Sequence, residues 1–272
     1  MTQPISINKE LCISCGVCAR VCPAGSIEQN KGEEPQINEE ARCVTCGQCD
    51  AFCPKDAIVS EYPGEYPAQD FAGVKDVSPK ELGKCLQRRR TTRHYKSNPV
   101  PREKIEEILE VIRYAPTGGN AQPVHWTIIS DQDKLKAIGD AVAKYLKVAV
   151  EKMPDSPYKE IFGNLAAAYE DGHNVITWGA PHLIAVSTDE EAISGDADGI
   201  IAMSWFEIAI QTYGLGYVWL GLIKMAALNS PEVASLLALP EKTKLQYTMV
   251  FGEPSLKVEK IPKRNAAKVH WH

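Results

Sequence analysis

From about residue 80 onward the apolar positions fall into two periods. Ile105, Ile108, Leu109 and Ile112 recur every three or four residues, which is one face of a helix. Pro101 sits at its first helical position and Pro116 stops it. Short apolar runs at His125–Ile129, His182–Val186, Tyr217–Leu220 and Gln246–Phe251 read as strands. Between them, helical stretches cover about 133 to 152, about 197 to 213, and Pro231 to Leu239 with Ser230 as N-cap. Asp198-Gly199, opening the second of these, reads as a cap rather than a catalytic acid. Helices alternating with short strands give an α+β or α/β class and leave the topology open.

Neither period governs residues 1–60. Between the two regions, Glu61-Tyr-Pro-Gly-Glu-Tyr-Pro-Ala-Gln-Asp-Phe-Ala-Gly73 carries prolines and glycines that forbid regular structure, so it reads as a linker. Tyr62, Tyr66 and Phe71 favour burial, so an arm packed on the next domain suits the segment as well as a free tether. The expected division is a small domain at 1–60, a linker at 61–80 and a larger domain at 81–272.

With 272 residues, 44 % hydrophobic and 24 % charged, the chain is long enough for that division. Its 30 basic and 35 acidic residues leave −5, which gives no electrostatic case for nucleic acid. No apolar run is long enough to span a bilayer. The N-terminus has neither a basic nor an apolar leader segment, so the expectation is a reducing cytoplasm with free thiols.

What organises the first sixty residues is cysteine. Cys12, Cys15, Cys18 and Cys22-Pro23 are followed by Cys43, Cys46, Cys49 and Cys53-Pro54, each run a C-x2-C-x2-C-x3-C-P. Gly16/Gly47, Pro23/Pro54 and Ile27/Ile58 recur at the same offset, so the segment is an internal duplication. Zinc ribbons use separated C-x2-C pairs, and a third cysteine followed by C-P has no tetrahedral rationale. Cys85 is left over, and a lone cysteine is usually a small buried apolar group. The repeat resembles the bacterial two-cluster ferredoxin. That resemblance implies two [4Fe–4S] clusters with crossed ligands: Cys12, Cys15, Cys18 and Cys53 on one, Cys43, Cys46, Cys49 and Cys22 on the other.

In the larger region, Arg88-Arg-Arg-Thr-Thr-Arg-His-Tyr-Lys96 places five cations in nine positions, enough to neutralise a phosphate. Downstream come Ala115-Pro-Thr-Gly-Gly-Asn-Ala-Gln-Pro123, Gly214-Leu-Gly-Tyr-Val-Trp-Leu-Gly221, Phe251-Gly-Glu-Pro254 and Ile261-Pro-Lys-Arg264. A dinucleotide fingerprint is not among them, because Trp219 stands where glycine is needed and the segment leads into a strand. The six histidines fall in no metal-ligand spacing.

Arg89 to Arg93 followed by Asn98-Pro-Val-Pro101, then Ala115 to Pro123, then Gly214 to Gly221, are similar in order and spacing to the motifs of the nitroreductase family of FMN proteins. The resemblance implies an α+β domain, a homodimer and an FMN site. Arg89, Arg90 and Thr91 would bind the phosphate, and Arg93 the N1 and O2 edge of the flavin. Asn120 would hydrogen-bond the pyrimidine ring from the partner subunit, with Pro116, Thr117, Gly118 and Gln122 in the same loop. The backbone at Gly221 and Leu222 would approach N5, and Lys263 and Arg264 would close on the phosphate. Val124 and Leu222-Ile223 depart from the family pattern on the substrate face, and Lys224 at the same mouth reads as an exposed lysine.

Together the two resemblances imply an oxidoreductase in which electrons from reduced ferredoxin or a similar donor enter through the two [4Fe–4S] clusters, collect on FMN and reduce a small nitroaromatic, quinone or activated alkene. An electron-transfer subunit with no substrate of its own, or NAD(P)H-driven reduction of FMN with outward flow through the clusters, fits the same residues.

Overall fold

A computed structural model describes residues 3–61, 73, 75–155 and 157–272. Tyr62, Tyr66 and Phe71 of the expected linker lie outside the described residues. The chain divides into two compact units: Met1–Lys75 with Gly119–Ala121, and Asp76–Gly118 with Gln122–His272.

In the first unit the duplicated sequence becomes duplicated structure. Strand β1 (Ile5–Ile7) pairs antiparallel with β4 (Ile58–Ser60), and β2 (Ile27–Glu28) with β3 (Gln36–Ile37). Two short helices, α1 (Val17–Val21) and α2 (Gln48–Ala51), each begin after a glycine in the left-handed region, Gly16 at φ 72° and Gly47 at φ 73°. A side chain there would pay for its Cβ, so the turn that follows the second cysteine of each run calls for glycine. Ile5, Ile27 and Ile58 are buried alongside Cys18 and Cys49.

The second unit is built around one antiparallel sheet, in the order β5-β6-β8-β7. Its strands are β5 (Val124–Ile129), β6 (His182–Asp189), β7 (Gly216–Trp219) and β8 (Thr243–Gly252). Alternate side chains leave opposite faces of a strand. Leu183, Ala185, Val218 and Val250 therefore enter one core, against α5 (Gln132–Lys152), α8 (Gly221–Asn229) and α9 (Pro231–Leu237). Ile184, Val186, Tyr217, Met249 and Phe251 enter the other, against α4 (Arg102–Ile112) and α7 (Gly195–Thr212). An all-antiparallel sheet between two helical layers resolves the class as α+β. Among the described residues no helix is long and apolar enough to cross a membrane.

Several boundaries differ from the periodicity. Pro101 is the N-cap of α4 rather than its first residue, and the helix ends at Ile112, before Pro116. Strand β6 runs on past Val186 through a bulge, because Ser187 and Thr188 are polar yet fully buried. Three further helices lie outside the expected stretches. In α3 (Pro79–Arg88) nothing is buried, α6 (Pro157–Glu170) buries only Ala166, and α8 is apolar nearly all round.

His182 ties the chain entering α4 to the sheet. Its Nε2 accepts the Val100 N–H at 2.8 Å, so the ring proton sits on Nδ1, 2.7 Å from Ser130 Oγ. The ring stacks on Phe251 and is buried, which pushes its pKa down to about 4. With the folded value below the ordinary ~6.5, the unfolded chain binds the proton first. The stability contributed is complete above ~6.5 and is lost as pH falls toward about 4. We expect about 3 kcal/mol of acid-linked loss over that window at 1.36 kcal/mol per unit. His182→Gln should be less stable at pH 8 yet show a shallower decline in urea unfolding followed by tryptophan fluorescence; an unchanged pH slope would contradict the assignment.

Candidate redox and flavin sites

Among the described residues the eight cysteines of the two runs form no disulfide, and they surround two cavities. Cys12, Cys15, Cys18 and Cys53 line one; Cys22, Cys43, Cys46 and Cys49 line the other. Each cavity thus takes three thiols from one run and the fourth from the other. Among the described residues no three His, Cys, Asp or Glu side chains converge as they would on a single ion. The thiols instead form the walls of a larger space, the arrangement a multi-iron cluster requires.

Backbone amides are turned toward the sulfurs in matched pairs. Ser14 N–H and Thr45 N–H donate to Cys12 and Cys43 at 3.4 Å, and Ser26 N–H and Ala57 N–H to Cys22 and Cys53 at 3.2 Å. Ser14 and Thr45 hold φ 55° and 49°, a left-handed conformation that costs a non-glycine residue about 1 kcal/mol or more. Burial and the nearby thiolates of Cys12 and Cys15 push the Cys18 thiol up, against the Ala19 amide. At Cys22 burial also acts upward, but the amides of Ala24, Ser26 and Ile27, helped by the nearby Ser26 hydroxyl, hold it below the ordinary thiol value. A cationic iron–sulfur core between the thiols would offset both the burial and the thiolate repulsion that raise Cys18, so the donor set fits such a group.

In the second unit the cationic segment is fastened to the sheet by its backbone. Thr91 bridges Tyr217, Thr92 N–H donates to Tyr217 O at 2.9 Å, and Lys96 N–H to Glu253 O at 2.8 Å. The Tyr95 hydroxyl donates to Thr92 O at 2.7 Å. Arg89 Nε pairs with Glu207 Oε1 at 3.2 Å, and Trp219 Nε1 donates to the other oxygen of that carboxylate. Tyr217 lies against this pair; burial first, then Glu207, push its phenol up, outweighing Arg89. Arg90 is half-buried. The Arg93 guanidinium is exposed and stands 5.2 Å over the Trp178 ring.

Gly221 opens α8 one residue beyond β7, with Leu222 half-buried beside it. A Cβ on Gly221 would come within 2.8 Å of the Tyr247 hydroxyl. Lys224 is half-buried rather than exposed, because its ammonium lies 5.3 Å over the Tyr247 ring.

Thr117, Gly118 and Gln122 are held elsewhere in this unit. Gly118 N–H donates to Asp198 Oδ1 at 2.9 Å, and Gln122 N–H to Thr117 Oγ1 at 3.1 Å. Asp198 is therefore not the cap of α7, whose N-cap is Ser194; from the first turn its buried carboxylate fixes the Gly118 loop instead. Thr117 and Gln122 border a cleft with Arg113, Trp126 and Ala202, while Pro116 is exposed. Among the described residues no hydrogen bond, bridge or shared cavity joins this group to Arg89–Arg93 or Gly221. Asn120, at φ 55°, groups with the first unit. Lys263 and Arg264 lie on an exposed C-terminal arm without helix or strand. Asp198, Glu207 and Trp178 went unsingled as site residues in the sequence because their partners are distant in it.

Geometry and residues together define a two-part redox chain: a four-thiol module carried twice over, joined to an antiparallel α+β domain. Residues 86–253 match the nitroreductase family and residues 11–58 the 4Fe-4S dicluster domain, so the chain belongs to the nitroreductase family and carries a ferredoxin-type domain. It is similar to an FMN reductase [NAD(P)H] of Bacillus subtilis (strain 168), 27 % identical over 67 % of this chain and 70 % of the relative. It also resembles an iodotyrosine deiodinase of Thermotoga neapolitana, 26 % identical over 71 % of this chain and 98 % of that protein. Among solved structures, a nitroreductase with bound FMN from Desulfitobacterium hafniense DCB-2 shares the fold at TM-score 0.55 and 20 % identity, covering 70 % of this chain and 98 % of its own.

The packing of the cationic segment is open to a direct test. A Cβ on Gly216 would lie 2.3 Å from Thr92 Oγ1 and 2.8 Å from Thr92 Cβ. Gly216→Ala should cost about 1–3 kcal/mol of stability as an overpacking change, and Thr92→Ala in the same chain should recover part of it. Chemical denaturation of the four proteins of the cycle checks this; strictly additive effects would contradict the contact.

Proposed function

We propose that this chain is an FMN-dependent oxidoreductase that receives electrons through two [4Fe–4S] clusters and reduces a small organic acceptor, such as a nitroaromatic, a quinone or an activated alkene. The observation that carries this reading is that one chain joins two four-thiol cavities to a cationic segment fastened beside Gly216–Gly221. In this reading residues 1–60 form the electron-carrying domain, 61–80 the linker and 81–272 the flavin domain, and the protein works in the cytoplasm. The deiodinase relatives add iodinated phenols to the acceptors worth testing.

Cys12, Cys15, Cys18 and Cys53 would ligate one cluster, and Cys43, Cys46, Cys49 and Cys22 the other. FMN accepts electrons singly or in pairs and hands them to an organic acceptor, which none of these side chains does alone. Arg89, Arg90 and Thr91 bind its phosphate, with Lys263 and Arg264 closing from the C-terminal arm. The Arg93 guanidinium supplies positive charge where the reduced ring is negative. The backbone at Gly221 and Leu222 borders the reactive face.

Pro116, Thr117, Gly118, Asn120 and Gln122 complete the site from a second copy. Support comes from α7: between Asp198, which holds the Gly118 loop, and Glu207, which pairs with Arg89, it presents Ile200, Ile201 and Trp205, each more than a third exposed. Such an apolar stripe suits a homodimer interface that brings the two groups of residues together across the two-fold.

Reduced ferredoxin is the donor this arrangement suits; NAD(P)H is the second reading, favoured by the relative named for it. Anaerobic steady-state turnover with each donor and a panel of acceptors decides between them. Turnover should be faster with reduced ferredoxin than with NAD(P)H, whereas bleaching of the flavin by NAD(P)H ahead of the clusters would reverse the proposed flow. No turnover with any acceptor would leave an electron-transfer subunit. Arg89→Glu should weaken FMN binding about 10- to 100-fold, the loss of one charge-assisted hydrogen bond, with iron content unchanged, as read by flavin fluorescence titration and iron assay.

A further inference from the structure

The two cysteine cavities match in backbone and differ in one buried polar side chain. Ser26 lines the cavity of Cys22, Cys43, Cys46 and Cys49 and has no exposed surface; its Oγ meets no regular hydrogen-bond geometry among the described residues, though it lies near enough to Cys22 to help hold that thiol down. A buried hydroxyl without a well-formed hydrogen bond is destabilising, so it marks a place where a better acceptor takes the proton. In the other half of the duplication the equivalent residue is Ala57, 2 % exposed, lining the cavity of Cys12, Cys15, Cys18 and Cys53. Both residues donate their backbone N–H to the last cysteine of their own run at 3.2 Å. The hydroxyl is thus added to a site otherwise built alike. Lys55 and Gln48, which also have no like counterpart in the other cavity, are exposed side chains facing water.

We propose that the Ser26 hydroxyl donates a hydrogen bond to a sulfur of the cluster held by Cys22, Cys43, Cys46 and Cys49, and so sets that cluster at a higher reduction potential than its twin. This rests on the reading that both cavities hold [4Fe–4S] clusters. Reduction adds one negative charge to a cluster, and a donor aimed at its sulfur stabilises the charged product more than the oxidised form. An electron delivered to the pair therefore settles on the Ser26 side: the cluster beside Ala57 is oxidised by one electron as the other is reduced by one. The donor sits in a dry pocket, so solvent screens it less than it screens Lys55.

The test is a potentiometric titration of anaerobically purified holoprotein, followed by electron paramagnetic resonance, with iron and sulfide measured on each sample. Wild type should show two unequal one-electron steps. Ser26→Ala should lower the higher step by about tenfold in the electron equilibrium, about 59 mV for a one-electron couple, bringing the two together. Ala57→Ser should raise the other step, and it decides the matter alone if Ser26→Ala fails to assemble its cluster. Both potentials unmoved in proteins with full iron and sulfide, or the same step moving in both variants, overturns the hydrogen bond. Wild-type protein lacking about eight irons and matching sulfide overturns the cluster reading beneath it.

Discussion

Mutual repulsion of crowded thiolates is the constraint on which the first unit depends. Four sulfurs face each cavity, and little else fills the interior beyond Ile5, Ile27 and Ile58. A chain of about sixty residues has scant apolar surface to bury. Once ligation deprotonates them, four thiolates facing each cavity need positive charge between them, so binding of the metal group and folding would be one process. The backbone is shaped to the same end: Ser14 and Thr45 accept left-handed strain so that their amides meet sulfur.

The larger unit solves a different problem with ordinary means. Its sheet is covered on both faces, and the cationic segment is positioned by backbone pairing to β7, which leaves the Arg93 side chain exposed over Trp178. Rigid placement comes from close approaches: Gly216 beneath Thr92, and Gly221 against Tyr247. Glu207 gathers Arg89 and Trp219 on one carboxylate, so one residue of α7 links the segment to the strand beside it. In the proposed dimer the remaining flavin contacts would come from the other copy.

How far the sequence carried the fold follows from the reach of each signal. The cysteine spacing and the glycines at 16 and 47 are local constraints, and the strands at His125–Ile129 and Gln246–Phe251 stand within longer strands at the same places. Helix α3 keeps Leu82 and Leu86 on one side but buries nothing fully, α6 buries only Ala166 fully, and in α8 apolar residues all round erase the period. Asp198 read as a cap since nothing local shows that Ser194 already fills that place or that Gly118, eighty positions earlier, needs its carboxylate. The same distance hid Glu207 and Trp178. The Ser26/Ala57 difference was printed in the duplication, but its meaning required knowing that the hydroxyl is buried and without a regular hydrogen bond.

The central claim is an order of events: electrons pass the clusters before they reach the flavin. Rapid mixing of the oxidised holoprotein with a substoichiometric amount of reduced ferredoxin, without oxygen or acceptor, tests it directly when flavin bleaching at its visible band and freeze-quenched paramagnetic signals of the clusters are followed together. The account predicts that the cluster signal rises first and then decays as the flavin bleaches. Flavin bleaching at full rate while both clusters stay oxidised would contradict it.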